Sequence, residues 1–214
     1  MTAREPDISQ ALRIERSRLC EMLEELDAAG WSKQSLCDDW TVHEVVAHLS
    51  LSTRTSVLDF FTGMVRCRGN FDRMEAERAR RRARDVTPLE LIEQLRSDID
   101  STKTAPGGSP IDALTDFIVH GQDIAIPLGV NHPVAPEHSI MALDHVRSSR
   151  WYGAKKRIGP ATLRATDIDW SVDGGATTIS GPALDLLLAA SGRSVGLSGL
   201  SGDGVRHVRA ELES

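Results

Sequence analysis

Among the seven histidines of the chain, His48 and His120 stand where metal chemistry is conceivable. Asp116 and His120 are four residues apart, and on a helix at 100° per residue Asp116, His120 and Asp123 fall within about 60° of one another. Ile111, Leu114 and Ile118 take the opposite face. If a second helix brought His48 to that face, two imidazoles and a carboxylate could hold a divalent ion with open coordination positions, which is the arrangement of a catalytic rather than a structural site. The same pattern is also what a solvated amphipathic helix shows, and His48 sits roughly 130° from the centre of its own helix's apolar stripe, so periodicity leaves both readings open.

Other candidates have weaker signals. His43 lies about 140° around its helix from His48 and reads as separate from it. Arg78, Arg80, Arg81, Arg82 and Arg84 read as a solvated charge run, with an anion site as the alternative. Arg193 follows Gly192 after an apolar helix, where it either caps the helix end or meets a substrate carboxylate. Trp40 and Trp170 read as core or lid residues. The three cysteines, Cys20, Cys37 and Cys67, are odd in number and have no CxxC spacing, so neither a disulfide framework nor a zinc knuckle is expected, and Cys20 and Cys67, with no histidine at a telling spacing, read as packing.

The elements that would position these residues are mostly helical. Leu12, Leu19, Met22, Leu23 and Leu26 form one face of a helix over about 8–29, stopped by Gly30. Thr41 to Glu44 has the form of a capping box and predicts a long second helix carrying Val42, Val45, Val46, Leu49, Val57, Phe60 and Met64 on one side. Thr87-Pro88-Leu89-Glu90 opens a third helix with Leu91, Ile92, Leu95 and Ile99. Ser109-Pro110 opens a fourth, running to Pro127 with Gly129 as its C-terminal glycine, and a fifth is expected over about 136–150. From about Ile158 the texture changes. The runs 161–166 and 176–180 around Asp173-Gly174-Gly175 predict a β-hairpin, and Gly181-Pro182 opens an apolar helix to Gly192, followed by a short polar helix or strand.

Composition bounds the function. With 25 Lys and Arg against 31 Asp and Glu the net charge is −6, which disfavours bulk nucleic-acid binding. No apolar run reaches the roughly 20 residues of a spanning helix, and the polar start over Met1 to Pro6 carries no signal-peptide pattern, so a cytoplasmic protein without membrane or nucleic-acid partners is expected. The preference for arginine over lysine points to a GC-rich coding genome.

Asp39-Trp40-Thr41-Val42-His43-Glu44-Val45-Val46-Ala47-His48-Leu49 and Asp116-Phe117-Ile118-Val119-His120-Gly121-Gln122-Asp123-Ile124-Ala125 resemble the two motifs of the mycothiol-dependent maleylpyruvate isomerase family, within the DinB-like metal-binding superfamily. Thr166 to Trp170 and the stretch from Gly181 to Arg193 resemble that family's C-terminal region. The resemblance implies an α+β protein, with a DinB-like four-helix bundle over 1–153 and a small C-terminal α+β domain over 154–214. It also implies a divalent metal, zinc by habit of the family, on His48, Asp116 and His120. Catalysis would involve His48 and Arg193, with Arg193 also toward the cofactor. Mycothiol would serve an isomerase or S-transferase reaction on a small electrophile, in a monomer or homodimer. Asp116 departs from the family's usual glutamate by one methylene. Asp123 is then either an alternative ligand or the acceptor for the His120 imidazole N–H. A non-catalytic metal- or ligand-binding bundle is the alternative function.

Overall fold

The computed structural model describes residues 4–213, and these divide into two compact units, one ending at His132 and the other beginning at Pro133.

The N-terminal unit contains seven helices among the described residues: α1 (Glu5–Glu24), α2 (Ala28–Ser32), α3 (Val42–Ser50), α4 (Val57–Arg66), α5 (Phe71–Asp85), α6 (Pro88–Ser97) and α7 (Pro110–Leu128). Helices α1, α3, α6 and α7 form a four-helix bundle, α1 lying along α7 and α6 and α3 lying against α6 and α7, while α5 packs on the outer side of α3. Leu12, Leu19 and Leu23 of α1, Val42, Val45, Val46 and Leu49 of α3, Leu91, Ile92 and Leu95 of α6, and Leu114, Phe117, Ile118 and Ile124 of α7 supply the core. Both capping boxes form: Thr41 with Glu44 and Thr87 with Glu90 each exchange hydrogen bonds between side chain and backbone. Gly129 ends α7 at φ +71°, a left-handed conformation that favours glycine.

Two local departures from the sequence reading have clear causes. The first helix ends at Glu24, not near Ala29, because Asp27 restarts the chain by accepting from Gly30 N at 2.8 Å, and Gly30 falls inside α2. The expected long helix from Thr41 to Met64 is two helices. The segment Ser50 to Ser56 is rich in hydroxyls that bond backward to backbone carbonyls, Ser50 to Ala47 and Thr55 to Leu51, and Ser56 then caps α4 through Asp59 N. Helix α4 consequently leaves Val57, Leu58, Phe61 and Val65 exposed rather than in the core.

Helix α1 also buries charge. Arg16, 1% exposed, donates from Nη1 to the carbonyls of Asp98 and Ser101 at 2.8 Å each and lies over the Phe117 ring. It ties α1 to the turn after α6, and burial lowers its pKa.

The C-terminal unit holds α8 (Pro136–Ser148), α9 (Ala154–Ile158), strands β1 (Thr162–Ala165), β2 (Ser171–Val172) and β3 (Thr178–Gly181), α10 (Ala183–Ala190), a 3-10 turn over Ser194–Gly199, and α11 (Val205–Leu212). Helix α8, which the sequence reading assigns to the bundle, packs on α10 and so belongs to this unit, whose boundary falls before Pro133 rather than after Gly153. The predicted hairpin is instead a three-stranded sheet in the order β2-β1-β3, with β1 antiparallel to β2 and parallel to β3, Leu163 opposite Ile179. The glycine pair explains the error. Gly174 and Gly175 do not make a tight hairpin turn but let the connection pass against the backbone carbonyls of Ala161 and Pro160, where a Cβ at either position would collide. No described helix is long and apolar enough to cross a membrane.

Candidate metal centre

Three parts of the N-terminal unit converge on His48 and His120: the loop 33–41, helix α3 with α5 against it, and helix α7. The loop is pinned. Gln34 Nε2 donates to the carbonyls of Cys37 and Trp40 at 2.8 Å each, Ser35 Oγ donates to Trp40 O at 2.7 Å and accepts from Cys37 N at 3.1 Å, and Leu36 N donates to Asp123 O of α7 at 2.9 Å. Asp39 takes φ +61°, a left-handed turn that Asp tolerates better than most residues, just ahead of Trp40. The indole then lies with its ring centre 5.3 Å from that of His48 and 6.4 Å from that of His120.

Each imidazole has a carboxylate behind it. His48 Nδ1 lies 3.2 Å from Glu75 Oε2 of α5, and His120 Nδ1 lies 2.9 Å from Asp123 Oδ2, one turn further along α7. A neutral imidazole that donates from Nδ1 keeps its lone pair on Nε2, so the hydrogen bond to Asp123 sets the ring orientation of His120 and the nitrogen left for a ligand, whereas the Glu75 contact at His48 is one of charge without good hydrogen-bond geometry. The two rings meet edge to face with centres 5.1 Å apart. Two imidazoles on one tetrahedral ion at the usual metal–nitrogen distance have ring centres about 5 Å apart, so the spacing suits a shared cation.

Burial opposes the charge on His48, but the Glu75 carboxylate at Nδ1 and the nearby Asp116 outweigh it and raise the pKa above the ordinary imidazole value. Glu75 is also desolvated, yet His48 and Arg78, whose Nη1 is 3.1 Å away, hold its carboxyl below the usual range. Asp116 moves the other way: burial raises it, the two histidines offset part of the rise, and Asp112 and Glu75 add to it. Its side chain makes no hydrogen bond among the described residues. Asp116 with the two histidines is the donor set that the sequence reading names for a divalent ion.

His48 and His120 stand side by side and Asp116 is near enough to act on both electrostatically, but the donor atoms of the three do not gather within 4.8 Å of one another; a different group does. That group is Cys37, His120 and Asp123, whose sulfur, nitrogen and oxygen lie within 4.8 Å of one another. Cys37 Sγ donates to Asp123 Oδ2 at 3.1 Å and lies 3.5 Å from His120 Nδ1. Both the thiol and the carboxylate thus meet the same ring nitrogen. A Cys-His-Asp nucleophile triad needs them on opposite nitrogens, so this arrangement is not one.

Arg193 belongs to the C-terminal unit, where its Nη1 donates to Ser191 O at 2.8 Å at the end of α10. The arginine run is divided by the helix it forms. Arg81 and Arg84 are exposed, whereas Arg82 donates from Nε to Ser50 Oγ at 2.6 Å and Arg78 reaches Glu75 and Thr55. Trp40 acts as a cover over the two histidines, and His43 is elsewhere, with Nε2 against Val86 O at 3.0 Å. Sequence reasoning missed Glu75, hidden in an arginine-rich helix, and Cys37, which lacks a partner at short sequence distance.

Residues 12–116 match the family described as the mycothiol maleylpyruvate isomerase N-terminal domain. Among solved structures the chain is similar to a crystal structure of a histidine-to-alanine mutant of the mycothiol-dependent maleylpyruvate isomerase, with TM-score 0.61, 11% identity and coverage of 94% of this chain and 93% of that one. It is also similar to a crystal structure of the mycothiol-dependent maleylpyruvate isomerase, with TM-score 0.55, 13% identity and the same coverage. At such identity the likeness is one of fold. No curated protein matches the chain significantly.

Proposed function

From the premise that residues 12–116 belong to the mycothiol maleylpyruvate isomerase N-terminal domain family, we propose that the chain is a metal-dependent enzyme using a low-molecular-weight thiol, mycothiol, in an isomerase or S-transferase reaction on a small electrophile. The observation that carries this reading is the pair of histidines with the carboxylates of Glu75 and Asp123 at Nδ1 and rings 5.1 Å apart.

His48, Asp116 and His120 would hold the cation, and Asp123, which accepts from His120 Nδ1, would compensate for the short side chain of Asp116 from behind the ring. A divalent cation with an open position supplies acidity to a coordinated thiol, giving a thiolate at neutral pH. Mycothiol bound beside the cation would supply a nucleophilic sulfur, whose addition to a conjugated double bond would give isomerisation if rotation and elimination of the thiol follow, and a conjugate if the thiol is retained. The chain's residues prepare the place. Asp123 sets the tautomer of His120, Glu75 places a negative charge beside His48, Trp40 covers the two rings, and Asp116 would add a negative charge that balances the cation. No cysteine of the chain is needed as nucleophile: Cys20 and Cys67 are buried, and burial pushes the Cys20 thiol up to about 11 and raises that of Cys67. By the family resemblance, Arg193 would engage a carboxylate of the electrophile or the cofactor. The reduced thiol pool such a reaction needs is that of the cytoplasm.

The test measures metal content and thiol turnover together. Protein purified without chelator is expected to hold about one divalent ion per chain, lost in His120→Ala, and to consume mycothiol with a maleimide-type electrophile above the spontaneous rate only when metal is present. His48→Ala should remove turnover and leave the fold intact. Turnover by metal-free protein refutes the metal dependence, and none in the presence of metal and thiol refutes the enzyme; metal uptake without turnover leaves the binding-bundle alternative.

A further inference from the structure

The Nδ1 side of His120 has its own donor set. Cys37 Sγ, His120 Nδ1 and Asp123 Oδ2 stand 3.5, 3.1 and 2.9 Å apart as sulfur–nitrogen, sulfur–oxygen and nitrogen–oxygen pairs. We propose that these three residues form a second cation site, selective for thiophilic divalent ions, that competes with the Nε2 side of His120 for the single lone pair of a neutral imidazole.

The distances support this. A tetrahedral ion at the bond lengths of zinc sets sulfur, nitrogen and oxygen donors about 3.3 to 3.6 Å apart, so the sulfur–nitrogen pair already matches and the other two need to open by about 0.4 Å. Hydrogen bonding alone draws the carboxylate in by that much. The charges also suit: a thiolate and a carboxylate neutralise a divalent ion, and Asp123 is fully buried, where an ion balanced in this way is less costly than a bare one. A thiolate in the set favours zinc, cadmium or cobalt over magnesium and calcium. The frame is fixed before any ion arrives, since Cys37 is held through its N–H by Ser35 and through its carbonyl by Gln34, and Leu36 N ties the loop to Asp123 O.

Binding balances as one proton released. The divalent ion replaces the Cys37 thiol proton, and the His120 proton passes from Nδ1 to Nε2. That tautomer has no lone pair on Nε2. An ion beside Cys37 therefore removes His120 from the set with His48 and Asp116, a consequence that rests on the reading of that set as the functional one, whereas the Cys37 site itself does not.

Cobalt(II) titration of chelator-stripped protein tests the site, because cobalt bound to thiolate gives a near-ultraviolet sulfur-to-metal charge-transfer band. The band is expected in the parent, in His48→Ala, and in the Cys20→Ser, Cys67→Ser double variant. It should vanish in Cys37→Ser, and adding that change to His48→Ala should weaken cobalt binding at least tenfold. A parent without the band, a band that persists in Cys37→Ser, or one lost from the double variant overturns the proposal. Cys37→Ala, checked by circular dichroism, serves should the serine variant misfold. Failure of the proposed function reads differently, as thiol turnover retained by His48→Ala whatever the cobalt spectrum shows.

Discussion

Replacing Glu75 with glutamine isolates the carboxylate behind His48. His48 Nδ1 lies 3.2 Å from Oε2 and Arg78 Nη1 3.1 Å from Oε1, so the single amide oxygen can keep one of the two contacts while the NH2 group faces the other donor, and the charge is lost. Both partners of the Glu75–Arg78 pair are largely but not fully buried, and the loss of the charge together with one of the two contacts costs the fold about 1 to 2 kcal/mol. The effect on a metal at His48 is larger. A carboxylate on the far nitrogen raises the basicity of a ligating imidazole, and removing it typically weakens binding by about 10- to 100-fold, or about 1.4 to 2.7 kcal/mol.

The assay is competition against a chromophoric chelator at fixed pH, with the melting temperature of the metal-free protein as the control. Glu75→Gln should bind at least tenfold more weakly and melt within a few degrees of the parent. The pH dependence gives a second sign. Glu75 has its carboxyl held below the ordinary range, so the stability it contributes is present above the unfolded value and lost as pH falls through the folded one. The variant should therefore show a flatter acid limb. Metal affinity within twofold of the parent would refute the claim that Glu75 acts through His48, and a large loss of melting temperature in the metal-free protein would reassign it to the fold.

Gly121→Ala sets helix propensity against packing: alanine is favoured inside a helix by about 1 kcal/mol, but its Cβ would stand 2.8 Å from the Nε2 of buried His132, so a net loss of about 1 to 2 kcal/mol is expected in urea unfolding and a gain would show that the ring can move aside. Cys20, with its thiol pushed up to about 11 from 9.0, should resist iodoacetamide at pH 8 until the protein is denatured, and stability should fall by up to about 2.7 kcal/mol as pH rises from 9 to 11, because the unfolded thiol ionises first; an alkaline limb unchanged in Cys20→Ala would contradict this. Arg193→Ala removes one hydrogen bond to Ser191 O and should cost about 1 kcal/mol, or a few degrees of melting temperature, while raising the KM for a carboxylate-bearing electrophile at least tenfold; the opposite split would make it a helix-end brace.

Much of the bundle was legible because its signals are local. Capping boxes at Thr41 and Thr87, proline at the first position of α6 and α7, and leucine spacing in α1 each depend on residues within one or two turns. The losses came where a local signal had two meanings. Val57, Phe60 and Met64 continue the apolar period of α3, yet the hydroxyl-rich segment between breaks the helix and α4 turns much of its apolar surface to solvent. Gly174-Gly175 is a turn signal at short range, but the contact that demands glycine is with Ala161 and Pro160, more than ten residues back.

The site divides along the same line. Asp116, His120 and Asp123 share a helix face by arithmetic, and the structure keeps them together; what arithmetic could not give was burial, since Asp123 reads as part of a solvated stripe and is fully enclosed. The reason is that α7 is covered on nearly every side, by α1, by α3 and by the loop carrying Cys37, so its polar face has the loop to meet instead of water. Glu75 was illegible for the complementary reason. In a helix with six arginines, a glutamate reads as a charge partner on the surface, and only the packing of α5 on α3 turns it toward His48. A carboxylate that sequence assigns to solvation thereby becomes the charge beside Nδ1 of His48, and the chemistry of the site depends as much on the two residues behind the histidines as on the histidines themselves.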